Sequence, residues 1–269
     1  VLIGADARSV IDMVDQEWTT TRDGVRLAVR RWHPAADQGT AVVVVHGFGA
    51  TKDSPTVGGV AEVLRSDGHQ VLSYTARGHG ESEGQCTLGD LEHLDVEVAV
   101  GLARRSADRV VLVGASMGAI AVLRHASSQA PEGVVTVSSP AEWNLPRTVQ
   151  SAGAAVLTQT RTGRWIARRA LRVRLSDRWT DPVPPVDLAR IIDAPLAIIH
   201  GHQDAFIRSD EARKLYAASP DPRRIELVEG MGHAYATGSI PVIRECVGWA
   251  LSTSVSTAGR PPEVSRAAD

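Results

Sequence analysis

A β-branched run at residues 110–113 leads into Gly114-Ala115-Ser116-Met117-Gly118 and at once into helix-like sequence at residues 119–129. A strand that turns sharply into a helix brings the positions two before and two after its apex close together and forces the apex residue into strained backbone geometry. Gly114 and Gly118 supply the room, so the pattern predicts Ser116 at the tip of a strand–turn–helix elbow. Its hydroxyl then stands clear of the sheet. The backbone N–H of Met117, at the start of the helix, faces a position where an oxyanion can be held. The same five residues could form a tight turn and nothing more, but the flanking strand and helix favour a nucleophile.

A length of 269 residues suits one large α/β domain with a sizeable core. The formal net charge of −2 gives no chain-wide reason to expect nucleic acid or an anionic membrane as partner. Cys86 and Cys246 are too few and too far apart for a disulfide framework or a zinc site of the usual spacing, and they read as small buried residues. Residues 1–16 mix acids and an arginine with their apolar residues, unlike a signal peptide. No apolar run approaches the roughly 20 residues that span a bilayer. The expectation is a soluble, cytoplasmic protein, with secretion through a removed leader left open.

Residues 17–21 and 26–32 read as a β-hairpin turned at Arg22-Asp23-Gly24. Residues 41–45 form a continuous apolar run, as in a strand covered on both faces, and end in His46-Gly47-Phe48-Gly49. A glycine-flexible loop at the end of a central strand can aim the Phe48 N–H at the nucleophile, with His46 holding the loop by hydrogen bonds. Ser54-Pro55 opens a helix to about residue 66. Another buried strand, 70–74, precedes the polar loop Arg77-Gly78-His79-Gly80-Glu81-Ser82, read as a brace beneath the nucleophile rather than a ligand site. Thr87 can cap a helix that lays Leu91, Leu94, Val98 and Leu102 on the sheet. A strand at 134–138 follows the elbow helix. Strand–helix alternation of this kind implies a mostly parallel, doubly wound sheet whose working residues sit at the carboxyl ends of its strands.

Residues 141–192 break the alternation and read as a small helical cap inserted into a core made of residues 17–140 and 193–251. From residue 140 to 192 there are nine arginines against Glu142, Asp177, Asp181 and Asp187. These arginines either select an anionic substrate or form the solvated outer face of the cap helices. Core strands are expected again at 195–200 and 224–228, with a helix from Ser209 to about 219 between them and a closing helix at 239–251. Residues 252–269, rich in Ser, Thr, Pro and Ala, read as a disordered tail.

A serine hydroxyl needs a base within reach and a group that orients the base. His233 and Asp204 each follow a predicted strand, and the order Ser116, Asp204, His233 joins the His46–Gly49 loop as separated motifs that agree in order and placement. From about residue 17 to 251 the chain resembles the α/β-hydrolase superfamily, most of all bacterial carboxylesterases and monoacylglycerol-lipase-type serine hydrolases. The resemblance implies Ser116 as nucleophile, His233 as general base and then acid, Asp204 as the orienting carboxylate, and the amides of Phe48 and Met117 as oxyanion hole. It implies a small-molecule ester as substrate and no metal or organic cofactor. The loop departs from the His-Gly-Gly-Gly form of other esterases, which argues against bulky tertiary-alcohol esters. Trp143 and Tyr235 are candidates to line the substrate pocket, with core packing as their alternative.

Asp210 and Glu211 rival Asp204, and His202 rivals His233. His200-Gly201-His202-Gln203-Asp204 superficially resembles a metallohydrolase motif, but Ala205 stands where that motif continues with another histidine. The expected activity is hydrolysis of small to medium acyl esters. A lipase on longer chains, a perhydrolase, a C–C hydrolase, an acyltransferase and a non-catalytic receptor are the other readings.

Overall fold

A computed structural model describes residues 14–143, 148–178, 180–236 and 238–258. Eight strands form one sheet in the order β1-β2-β4-β3-β5-β6-β7-β8. The hairpin is present as β1 (Val14–Thr20) and β2 (Arg26–Trp32), both antiparallel to their neighbours. The other six strands run parallel: β3 (Thr40–Val45), β4 (Gln70–Tyr74), β5 (Arg109–Ala115), β6 (Gly133–Val137), β7 (Leu196–Gly201) and β8 (Arg223–Val228). Parallel strands need crossovers that cover both faces, which is why β3, β6 and β7 are buried along their whole length.

Helices α1 (Pro55–Ser66) and α8 (Ser239–Ala258) cover one face; α2 (His93–Ala103), α3 (Met117–Ala126) and α7 (Asp210–Ala218) cover the other. Two expectations are corrected here. Helix α8 runs on to Ala258, so residues 252–258 are helical, the Arg109 guanidinium bonding back to Leu251 O and Ser254 Oγ; residues 259–269 lie outside the described set. Leu91 is exposed ahead of α2 rather than packed under it. Thr87 accepts from Leu91 N–H at 2.8 Å and so fastens the turn before the helix, while Glu92 and Asp95 take buried positions.

Between β6 and β7 the chain forms α4 (Val149–Gln159), α5 (Arg161–Ile166), a π-helical turn (Ala167–Leu171) and α6 (Pro185–Ala189). The α4–α5 turn is close enough that a Cβ on Gly163 would meet Leu157 Cα at 2.7 Å. Beyond Arg172, in left-handed conformation, the backbone becomes a strap threaded between the 78–80 and 84–86 segments. Gly80 N–H donates to Arg172 O, Arg174 N–H to Gly78 O, Cys86 N–H to Arg174 O and Ser176 N–H to Cys86 O. The Arg174 guanidinium adds bonds to the carbonyls of Gly80, Ser82 and Gly84. Among the described residues no helix is long and apolar enough to cross a membrane.

Candidate active site

The elbow is built as crowding requires. Ser116 lies between β5 and α3 with φ 52° and ψ −115°, a conformation non-glycine residues avoid, at a cost of about 1–3 kcal/mol. Its N–H is held by Val137 O at 2.8 Å. A Cβ on Gly118 would meet Val45 O and His46 O at 2.6 Å, and one on Gly114 would collide with the Gly118 carbonyl. Glycine is therefore dictated by the approach of β3, β5 and α3.

Three side chains from three strand ends meet at the elbow. Ser116 Oγ lies 3.0 Å from His233 Nε2, and His233 Nδ1 lies 2.7 Å from Asp204 Oδ2. The Asp204 carboxylate is fully buried, and its other oxygen accepts the N–H groups of Phe206 and Ile207, each at 2.9 Å. Burial alone would raise the Asp204 pKa. The His233 hydrogen bond and charge, with the Ile207 amide, outweigh it and hold the carboxyl below its ordinary value. An ionised acceptor fixes the tautomer that leaves His233 Nε2 free to take a proton from Ser116.

The rivals go elsewhere. Asp210 pairs with Arg208 on the surface, and buried Glu211 accepts the N–H of Ala141 at 2.9 Å, clipping α7 to the segment after β6. His202 sits 3.4 Å from Glu229. His200 donates from Nε2 to Ile207 O at 2.9 Å and lies 3.5 Å from Asp204 Oδ2, whereas His202 faces Glu229, so the three residues of the metallohydrolase-like motif do not converge on one point.

The N–H groups of Phe48 and Met117 have no hydrogen-bond acceptor among the described residues, and both flank the elbow. His46 is wholly buried, donates from Nδ1 to Gly47 O at 2.7 Å and accepts the Ala76 N–H on Nε2 at 2.9 Å. Burial, and then His79, press its pKa down to about 3, so it is a neutral loop anchor. The Arg77–Ser82 loop braces the region as expected. Buried Arg77 is held by Asp95 at 2.8 Å and bidentately by Asp23, while Ser82 Oγ bridges Ala28 N–H and Thr75 O. His79 contacts both His46 and Phe48 edge-to-face, linking that loop to the His46–Gly49 loop.

For Tyr235 the structure shows the core-packing alternative. Its ring is buried in the α1/α8 face, with its hydroxyl 2.9 Å from Val45 O and 3.1 Å from Val113 O, because the ends of β3 and β5 leave carbonyls there to satisfy. Trp143 donates from Nε1 to Pro182 O at 2.8 Å, tying the two ends of the insertion together. The sequence reading missed Ser138, at φ 52° on the end of β6, whose Oγ accepts the Ala234 N–H at 3.0 Å and secures the His233 loop. A hydroxyl at the carboxyl end of a buried parallel strand was the available signal. It also missed Phe206, whose ring centre is 5.0 Å from that of His233.

The model of the alpha/beta hydrolase family matches residues 42–238. An uncharacterised protein of Mycobacterium tuberculosis is 26% identical over 220 residues, covering 79% of this chain and 70% of its own. An esterase of Pyrococcus furiosus superimposes with a TM-score of 0.69 at 21% identity, over 94% of this chain and 96% of the esterase. An alpha/beta hydrolase from a Penicillium species gives 0.70 at 15% identity, over 90% and 99%.

Proposed function

The chain belongs to the alpha/beta hydrolase family, and from that premise we propose that it is a serine carboxylic-ester hydrolase acting on small to medium acyl esters through an acyl-enzyme. The observation that carries this is the hydrogen-bonded run from Ser116 Oγ through His233 to the buried Asp204 carboxylate. Ser116 Oγ attacks the ester carbonyl carbon as its proton passes to His233 Nε2. The carbonyl π electrons move onto oxygen, which the amides of Phe48 and Met117 receive. Collapse expels the alcohol with the proton from His233. Water then attacks the acyl-Ser116 carbonyl, again giving its proton to His233, and the acid leaves as Ser116 recovers its hydrogen.

The strap supports the small-to-medium acyl preference. Val173 pairs with His79, and His79 abuts Phe48, so this wall of the insertion is tied by backbone hydrogen bonds to the loop behind the oxyanion side. The test is hydrolysis of p-nitrophenyl esters from acetate to palmitate, with labelling by a fluorophosphonate and the Ser116→Ala protein as blank. Ser116-dependent labelling with turnover peaking at short or medium chains is expected. A peak at palmitate would replace the small-to-medium acyl preference with that of a lipase. Labelling without ester turnover would move the assignment to a C–C hydrolase, perhydrolase or acyltransferase.

A further inference from the structure

From Thr148 to Ser176 the chain has no aspartate, glutamate or lysine, and Arg161, Arg164, Arg168, Arg169 and Arg172 form no ion pair among the described residues. The same stretch exposes Val149, Val156, Trp165, Ile166 and Leu171, with Val156 and Trp165 each 61% exposed. Val149, Ala152 and Val156 recur at steps of three and four on α4, one exposed stripe that none of the described residues covers. The Arg169 guanidinium lies 5.9 Å from the centre of the Trp165 ring, so cation and apolar surface are interleaved. We propose that this arm, α4 through the π-helical turn, docks onto an anionic phospholipid surface.

Charge and shape select that occupant. Arg161 to Arg172 spans about 16 Å of helix, too spread for one small anion but matched to an array of headgroups. A symmetric dimer through the arm would set these arginines against their own copies. Arginines with long apolar stems around exposed Trp, Ile and Val are the composition of a segment lying at a membrane interface. The chain-wide charge of −2 conceals this local excess. Leu171 Cδ1 is 3.8 Å from where Gly49 would carry a Cβ, so the base of the arm adjoins the oxyanion loop, and docking brings the active-site side of the molecule to the lipid.

The probe is the Ser116→Ala protein, which separates docking from hydrolysis, in flotation with vesicles of equimolar phosphatidylglycerol and phosphatidylcholine. It should float with them at about 0.1 M salt, much less at about 1 M, and not with pure phosphatidylcholine vesicles. Arg161→Gln/Arg168→Gln/Arg169→Gln should weaken partitioning by about a hundredfold, and Val156→Ser/Trp165→Ser should weaken it independently. In the Ser116 background both sets should leave acetate-ester turnover unchanged, which reports an intact fold. The proposal is overturned by absence of flotation on anionic vesicles, by equal flotation on phosphatidylcholine alone, or by flotation indifferent to the arginines. A dimer broken by these substitutions, or loss of turnover confined to soluble anionic esters, would overturn it equally by assigning the arm another occupant.

Discussion

Around Ser116 the chain commits distorted backbone, buried polar groups and glycines without room for a Cβ to holding three side chains within hydrogen-bond reach. Between Val149 and Leu171 it leaves valine, tryptophan, isoleucine and arginine in solvent on short helices. Chemistry that depends on sub-ångström placement needs an over-determined site, because a nucleophile displaced by one ångström loses most of its advantage. A surface that meets other molecules has no such requirement. A substitution in the first region should therefore change rate or global stability strongly, and one in the second should leave both nearly untouched.

Removing the proposed nucleophile gives the largest contrast. Ser116→Ala should lower kcat for ester hydrolysis by about 10⁶ with an unchanged unfolding midpoint. Asp204→Asn follows, with a loss of about 10⁴, since an amide at this position can stabilise the wrong tautomer of His233. Steady-state kinetics on a soluble ester check both. A fall of tenfold or less in the Asp204 variant would mean that another acceptor orients His233.

Acid tests the platform as a whole. His46 and His125 are buried and neutral, the first with its pKa pressed to about 3 and the second to about 4, in each case chiefly by burial. Unfolded histidines titrate near 6.5, so between about pH 6.5 and 4 the unfolded chain binds more protons. The stability these two contribute is fully present above about pH 6.5 and is lost as pH falls, by about 1.4 kcal/mol per pH unit for each. Asp204, held below its ordinary value, adds loss of the same sign at still lower pH. Urea midpoints at pH 7 and pH 5 measure this. In His46→Gln, which keeps a neutral polar group beside Gly47 and Ala76, the slope should fall by the one proton His46 contributes, about 1.4 kcal/mol per pH unit; an unchanged slope would mean that His46 is protonated in the folded state.

Ser138 lies further down the scale. Ser138→Ala leaves the Ala234 N–H without its acceptor at the residue after His233. The expected cost is about 1–2 kcal/mol, shared between stability and a severalfold fall in kcat with KM little changed. A fall in stability alone would make Ser138 a structural residue with no influence on how His233 is placed.

What was legible in the sequence follows from how each residue is constrained. The buried parallel strands advertise themselves as unbroken Val/Ile/Leu runs, and Gly114, Ser116 and Gly118 announce the elbow because a strand-like run leads into them and a helix-like stretch follows. Ser116 and Asp204 could be named because each follows such a run, and His233 because it follows the last strand in the order Ser, Asp, His, although that strand is charged and only half-buried. Tyr235 could not be placed, since a residue two beyond His233 can turn toward the site or toward the sheet, and only the free carbonyls of Val45 and Val113 decide. Ser138 gave only the weak signal of a hydroxyl at a strand end. The strap was invisible because its cohesion lies in backbone bonds between residues 172–176 and 78–86, almost a hundred positions apart, and in one arginine answering carbonyls rather than acids. Leu91 misled because its helical spacing continues the stripe of α2 before the helix has begun.

The smallest effect belongs to the arm, and a residue in the strap supplies its control. Val156 and Val173 are the same residue type in one insertion, the first mostly exposed on α4 and the second fully buried between the Gly78 and Cys86 loops. Val156→Ser removes a side chain already in contact with water, so its effect on unfolding should stay within about 0.5 kcal/mol. Val173→Ser places a hydroxyl where a valine methyl packs and should cost about 2–3 kcal/mol, from lost burial and an ill-matched polar group. Chemical denaturation of the two variants under one condition measures the difference directly. Equal costs near zero would mean that the strap is as loosely held as the arm, and the fixed wall behind Phe48 would lose its basis. Equal costs near the larger value would mean that α4 packs against the rest of the molecule, leaving no free apolar stripe for a lipid surface to meet.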